Sequence, residues 1–107
     1  RKIAIPESDG ISIIKVDDII RCESDGNYTK IFLVDGTKFL TSKTLAEYDN
    51  VLVKYGFFRV HRSHLINLDK ISKYIKNEGG YIIMSDGTEV EVSRRKKAEF
   101  LEQLSSL

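Results

Sequence analysis

Residues 28–41 read Tyr-Thr-Lys-Ile-Phe-Leu-Val-Asp-Gly-Thr-Lys-Phe-Leu-Thr. Two β-prone runs, 28–34 and 37–41, flank Asp35-Gly36. That dipeptide suits a tight hairpin turn, because glycine accepts positive φ without a Cβ clash. The pattern returns at an offset of 51 residues, where Tyr81-Ile82-Ile83-Met84 leads into Asp86-Gly87 and then Thr88 to Val92. Ser42 and Ser93 fall at matching places after the two hairpins. Such an echo arises from an internal repeat or from two hairpins choosing the commonest turn residues.

Working outward from the first hairpin, residues 11–16 and 19–23 are short β-branched runs joined by Asp17-Asp18. Residues 24–27, Ser-Asp-Gly-Asn, carry turn chemistry. After the hairpin, Thr44 and Glu47 have the spacing of a capping box. Leu45, Tyr48, Leu52 and Tyr55 then follow on one helical face, and Gly56 ends the helix. Residues 57–68 divide into a short strand, a polar turn near 61–64 and a second apolar stretch. A strand is expected over 71–75, a break at 77–80, and a closing helix over 94–104 with Phe100, Leu101 and Leu104 as its apolar stripe. Seven or more short strands and two short helices predict a mainly β fold. The strands lie too close together for βαβ crossovers, so small antiparallel sheets packed face to face are expected.

A chain of 107 residues, 41% hydrophobic and 31% charged, fits one globular domain spanning residues 1–107. No apolar run approaches the roughly 18 residues of a membrane span, and no signal peptide opens the chain. The single cysteine, Cys22, allows no internal disulfide, and its apolar strand suits a buried, inert thiol. A reducing, cytoplasmic setting is expected. The first residue is Arg1, which is expected of a piece taken from a longer protein.

The net charge of +1 comes from 17 Lys and Arg against 16 Asp and Glu, so any polyanion-binding face must be built by segregation. Two segments achieve it. Residues 59–64, Arg-Val-His-Arg-Ser-His, contain no acid. Arginine there can donate paired hydrogen bonds to a guanine edge or grip a phosphate, and His61 and Ser63 can donate to phosphate oxygens. Arg94-Arg95-Lys96-Lys97 opens the last helix, where the macrodipole is already positive and stability alone favours acids. An external anion such as phosphate would complete that site. Both segments also suit plain solvated surface. Together they hold six of the 17 cations in ten residues, leaving 11 cations against all 16 acids elsewhere.

Enzyme readings have less support. Ser63 lacks the strand, Gly-x-Ser-x-Gly and helix context of a nucleophile. His61 and His64 make half a metal site at most, with Cys22 a remote third ligand. No glycine-rich phosphate loop is present.

Phe58-Arg59-Val60-His61-Arg62-Ser63-His64-Leu65-Ile66-Asn67 resembles the central motif of the LytTR-type DNA-binding domain of bacterial response regulators. Ile20-Arg21-Cys22-Glu23-Ser24-Asp25-Gly26-Asn27-Tyr28 and Val90-Glu91-Val92-Ser93-Arg94-Arg95 resemble its flanking motifs in the same order. The resemblance implies an elongated arrangement of small antiparallel sheets with one or two short helices. It implies a transcriptional regulator's output domain, non-enzymatic and without a cofactor, joined to an upstream receiver domain. It implies binding to double-stranded DNA at direct repeats, with loops in successive major grooves and a second copy meeting the first on DNA.

Carried over by residue, the resemblance implies three loop groups. The first is Asn27, Tyr28 and Thr29, with Lys30 on a phosphate. The second is His61, Arg62 and Ser63. The third is Arg94 and Arg95, with Lys96 and Lys97 nearby. Arg62 and Arg95 are the base-reading candidates. Asn27 and Thr29 are equally suited to shaping their own turn, and Asn67 to bonding nearby backbone. The competing readings are a β-rich protein-interaction module with a basic face, a single-strand or RNA binder, and a zinc-dependent enzyme.

Overall fold

The Tyr28–Thr41 hairpin forms as expected in the computed structural model, which describes residues 1–107. Its strands are β4 (Tyr28–Leu33) and β5 (Lys38–Thr41). With β3 (Ile19–Asp25), β6 (Phe57–His61) and β7 (His64–Asn67) they make a five-stranded antiparallel sheet in the order β5-β4-β3-β7-β6. The remaining strands form two smaller sheets. β1 (Lys2–Glu7) pairs with β2 (Gly10–Lys15), while β8 (Ile71–Ile75), β9 (Tyr81–Met84) and β10 (Glu89–Glu91) pair in the order β10-β9-β8.

Side chains alternate across a strand, so the central sheet has two faces to cover. Ile19, Cys22, Ile31, Leu33, Phe57 and Leu65 lie on one, packed against Ile5 of β1 and against Leu45, Tyr48 and Leu52 of α1 (Leu45–Leu52). Ile20, Phe58, Val60 and Ile66 belong to the other, packed against Ile82, Met84, Val90 and Val92 and against Phe100 of α2 (Lys97–Ser105). Two cores set on opposite faces of one sheet lengthen the molecule, whose principal extents are 44 × 25 × 24 Å. The elongated shape therefore follows from the burial pattern.

Local chemistry fixes the elements. Thr44 and Glu47 close a reciprocal capping box at the start of α1. α1 stops at Leu52, short of the expected Tyr55, and Gly56 takes φ 84° at the end of the 3-10 turn Val53–Tyr55 that follows it. The two Asp-Gly hairpins share one turn: Asp35 accepts from Thr37 N–H at 2.9 Å, and Asp86 from Thr88 N–H at 3.0 Å. This shared side-chain bond is the physical reason that the same Asp-Gly-Thr run closes both turns.

The strands expected at 11–16 and 19–23 form and are joined through Asp17-Asp18, but they do not pair with each other. A 3-10 turn at Val16–Asp18 passes the chain between two sheets, and β2 pairs with a strand the sequence did not announce, β1. Pro6 is accommodated there because a two-stranded sheet has only edges, where proline is tolerated. The closing helix is divided: Arg94–Lys96 is a 3-10 turn, and α2 begins at Lys97. Leu101 is 41% exposed, so the buried stripe of α2 is Phe100, with Leu104 partly buried against the same core.

Candidate nucleic-acid interface

Strand register places all three predicted loop groups at one end of the central sheet. β3 ends and β4 begins around Gly26-Asn27, while β6 ends and β7 begins around Arg62-Ser63. Because β3 and β7 are antiparallel neighbours, Glu23 lies opposite His64 and the two turns project the same way. Ser24 N–H donates to the Ser63 carbonyl at 3.0 Å and ties one turn to the other. With strands about 4.8 Å apart, the turn centres stand roughly 10 Å apart. On the far side of β6, Ser93 N–H donates to the Val60 carbonyl at 2.8 Å and brings Arg94–Lys97 to the same end.

The 61–64 turn is held from several sides. Ser63 N–H donates to His61 Nδ1 at 3.1 Å, and Arg59 Nη2 donates to the Arg62 carbonyl at 2.6 Å. With Nδ1 accepting, the neutral His61 imidazole carries its proton on Nε2. The Arg62 side chain stays exposed and has no ion-pair partner.

Arg94 and Arg95 are likewise exposed and unpaired. In a 3-10 turn, successive side chains splay by about 120°. Arg95 accordingly joins Arg59, His61, Arg62, Lys96 and Asp49 around a cleft of about 310 Å³. Arg94 instead lines a second cleft, of about 500 Å³, with His61, Lys97 and Glu91. His61 borders both, so cations flank it from two sides. Lys96 and Lys97 are more engaged than the arginines. Lys96 Nζ stands 3.6 Å from Glu99 and 5.6 Å from the Phe58 ring centre, and Lys97 Nζ donates to the Gly79 carbonyl at 3.1 Å. The helix-start argument for all four cations does not hold, because only Lys97 lies in α2 and Glu99 shares its first turn.

The first loop is different. Asn27 is exposed and Tyr28 is 50% exposed, so both reach solvent. Lys30 Nζ lies 3.8 Å from Asp25. Thr29 is removed from the candidate set: it is fully buried, and its hydroxyl donates to the Lys43 carbonyl at 2.8 Å. The alternation of Thr29, Ile31 and Leu33 already placed it on the inward face.

Behind these loops lies a polar cluster. Arg21 is only 7% exposed, with its guanidinium 3.9 Å from the Phe32 ring centre and 2.7 Å from Glu23. Burial pushes the Glu23 carboxyl up, but the Arg21 hydrogen bond and the charges of Arg21, His64 and Lys30 outweigh it and hold the group below its usual range. Burial holds the His64 imidazole below its usual range, with His61 and Arg21 acting in the same direction against Glu23 and Glu91. Burial pushes the Cys22 thiol up to about 12, despite Arg21. Cys22 and Leu65 share one core while Glu23 and His64 pair next to them in register, so Cys22 faces away from the histidines. Asn67 is structural as expected: it donates to the Ile19 carbonyl at 2.9 Å and accepts from Asp69 N–H at 3.0 Å.

Sequence reasoning missed Asp49 and the positioning of Arg59. Nothing around Asp49 signals that α1 would bring it to a cleft built by residues 59–96. Arg59 was visible as a cation, but its bond to Arg62 depends on the turn between them.

Residues 9–105 match the LytTR family, described as the LytTr DNA-binding domain. The heme-containing CO-sensing transcriptional regulator RcoM 2 of Paraburkholderia xenovorans (strain LB400) is 33% identical over 106 residues, covering 96% of this chain and 39% of that protein. The sensory transduction protein LytT of Bacillus subtilis (strain 168) is 30% identical over 95 residues, covering 87% of this chain and 39% of that protein. The chain thus spans about two-fifths of the length of these relatives. The solved LytTr DNA-binding domain of a methyl-accepting/DNA response regulator from Bacillus cereus superposes with a TM-score of 0.83 at 21% identity, covering 96% of this chain and 95% of that one.

Proposed function

The chain belongs to the LytTR family of DNA-binding domains, and on that premise we propose that it reads double-stranded DNA with the loops at one end of its central sheet. The observation that carries this reading is the convergence of Arg62, Arg94 and Arg95, exposed and unpaired, around His61. Elsewhere the chain is net acidic, so these cations form a local positive field instead of part of a general one.

In this reading Arg62 and Arg95 present planar forks to guanine edges in the major groove. Arg94, Lys96, Lys97 and Lys30 neutralise phosphates, and His61, Ser63, Asn27 and Tyr28 set the register on the backbone. The domain acts without catalysis, as the output of a bacterial transcriptional regulator working in the cytoplasm. The loops occupy successive major grooves, and two copies meet on direct repeats. The names of the relatives carry two kinds of input, CO sensing in heme-containing proteins and sensory transduction. A receiver domain upstream is the two-component form of this arrangement, and the single domain of residues 1–107 serves as its output.

The test is selection of this chain against randomised duplex DNA at several salt concentrations. A short enriched motif recurring at fixed spacing, with a steep fall of affinity in salt, is expected. Salt-sensitive binding without an enriched motif would remove base reading. Absence of binding at low salt would favour the protein-interaction reading of the basic face.

A further inference from the structure

Arg59 lies one residue beyond Phe58 on β6, at the edge of the arginine-lined cleft. Its Nη2 donates to the Arg62 carbonyl at 2.6 Å, a short charge-assisted bond to the tip of a two-residue turn. Its Nε is shielded from solvent and has no partner. A buried unsatisfied donor on a cation is unfavourable, so this placement is poorly explained by stability alone.

The other bonds of the turn complete the picture. Ser63 N–H is held by His61 Nδ1, and the Ser63 carbonyl by Ser24 N–H. With Arg59 on the Arg62 carbonyl, the backbone at both turn residues is clamped, while the Arg62 fork is free. The β6–β7 register is also irregular between Arg59 and His61, so the strand pairing alone does not define where the turn points. We propose that Arg59 is a positioning residue for base recognition: it fixes the backbone under Arg62 so that the free guanidinium is presented in one place before DNA arrives. The inference rests on the base-reading role assigned to Arg62. A pre-ordered contact binds more tightly because less freedom is lost on association.

Arg59 is itself a cation beside the proposed interface, and a direct phosphate contact is the competing role. The two differ in salt dependence. A phosphate contact removed by Arg59→Met lowers the slope of log affinity against log salt by roughly 1 and weakens all sequences alike. A positioning residue leaves that slope unchanged and lowers discrimination between the selected site and a single-base variant, by roughly 3- to 10-fold.

The experiment measures Arg59→Met and Arg59→Lys in wild-type and Arg62→Ala backgrounds, on selected and mismatched duplexes across salt. It also follows hydrogen exchange at the Ser24 and Ser63 amides of the free chain, with core amides such as that of Ile31 as the control for folding. The expected result is faster exchange at Ser24 and Ser63 with the core unchanged, lost discrimination in Arg59→Met, and little further loss once Arg62 is alanine. Arg59→Lys is expected to keep the wild-type salt slope, as Arg59→Met does, and still to lose discrimination, because an ammonium lacks the planar fork. Unchanged exchange at Ser24 and Ser63 would overturn the proposal without reference to DNA. A lowered salt slope, or an equal loss with and without Arg62, would assign Arg59 to phosphate. If the wild-type chain shows no discrimination while exchange still depends on Arg59, the base-reading assignment fails and the clamp stands as a feature of the turn alone.

Discussion

Two hairpin turns stand side by side at the end of the central sheet, and they handle charge in opposite ways. At 26–30 the one cation, Lys30, faces Asp25 at 3.8 Å, and the hydroxyl that looked available, Thr29, is buried on the Lys43 carbonyl. At 61–64 no acid forms an ion pair with Arg62, and the bonds go instead into the backbone beneath it. One turn neutralises its charge locally, while the other immobilises its frame and leaves its charge open. Composition separates the acid-free 59–64 segment from the turn that carries Asp25, but it does not show which atoms are already bonded. The difference lies in which atoms have been satisfied before a partner arrives.

Arg62→Ala should break this contrast most strongly. It should weaken binding to the selected site by roughly 1–3 kcal/mol and relax preference at one base position. Binding profiles on single-base variants check this, and a uniform loss with preference intact would make Arg62 a phosphate contact. Thr29→Val should act on the other turn in the opposite sense. Losing the hydroxyl bond should lower stability by about 1 kcal/mol while leaving DNA affinity unchanged, as read by denaturant unfolding beside a binding titration.

The polar cluster behind the turns should respond to pH. Folding holds His64 below its usual pKa through burial, so the unfolded chain takes up a proton there that the folded chain resists. Stability from this source is present above the unfolded histidine value of about 6.5 and declines as pH falls below it. Glu23 adds a second decline further into acid, below its ordinary value of 4.5, as the partner of Arg21 is protonated. His64→Gln should flatten the first decline and spare the second, and denaturant midpoints between about pH 7 and 3 would show it. The smallest effects belong to single lysines. Lys96→Ala should reduce the salt slope by roughly 1 without altering preference. Lys30→Ala should shift affinity by less than about 0.5 kcal/mol, because Asp25 already screens it.

Much of this was legible before folding. The Asp-Gly turns, the Thr44–Glu47 box and the strand, turn and strand of 57–67 follow from chemistry between residues only a few positions apart. The two basic segments were visible because a local charge excess is a property of the chain. Thr29 was legible in principle from strand alternation, although its loop position suggested otherwise. β1 was hidden because its partner choice depends on the sheet it joins, and Asp49 because no local pattern reports a meeting with residues ten or more positions away.

The amino-acid sequence by itself determined the hairpins, the helix cap and the two basic segments, since turn geometry, capping and local charge act over a few residues. Tertiary structure decided that Asn27, Arg62 and Arg95 share one end of one sheet. That outcome depends on the antiparallel register of β3 with β7, which joins residues more than 40 positions apart, and on the Ser93 to Val60 bond. It also decided which cations stay free. An ion pair or backbone bond forms only where folding brings a partner within about 4 Å, and here it did so for the lysines and for Arg59 but left Arg62, Arg94 and Arg95 open.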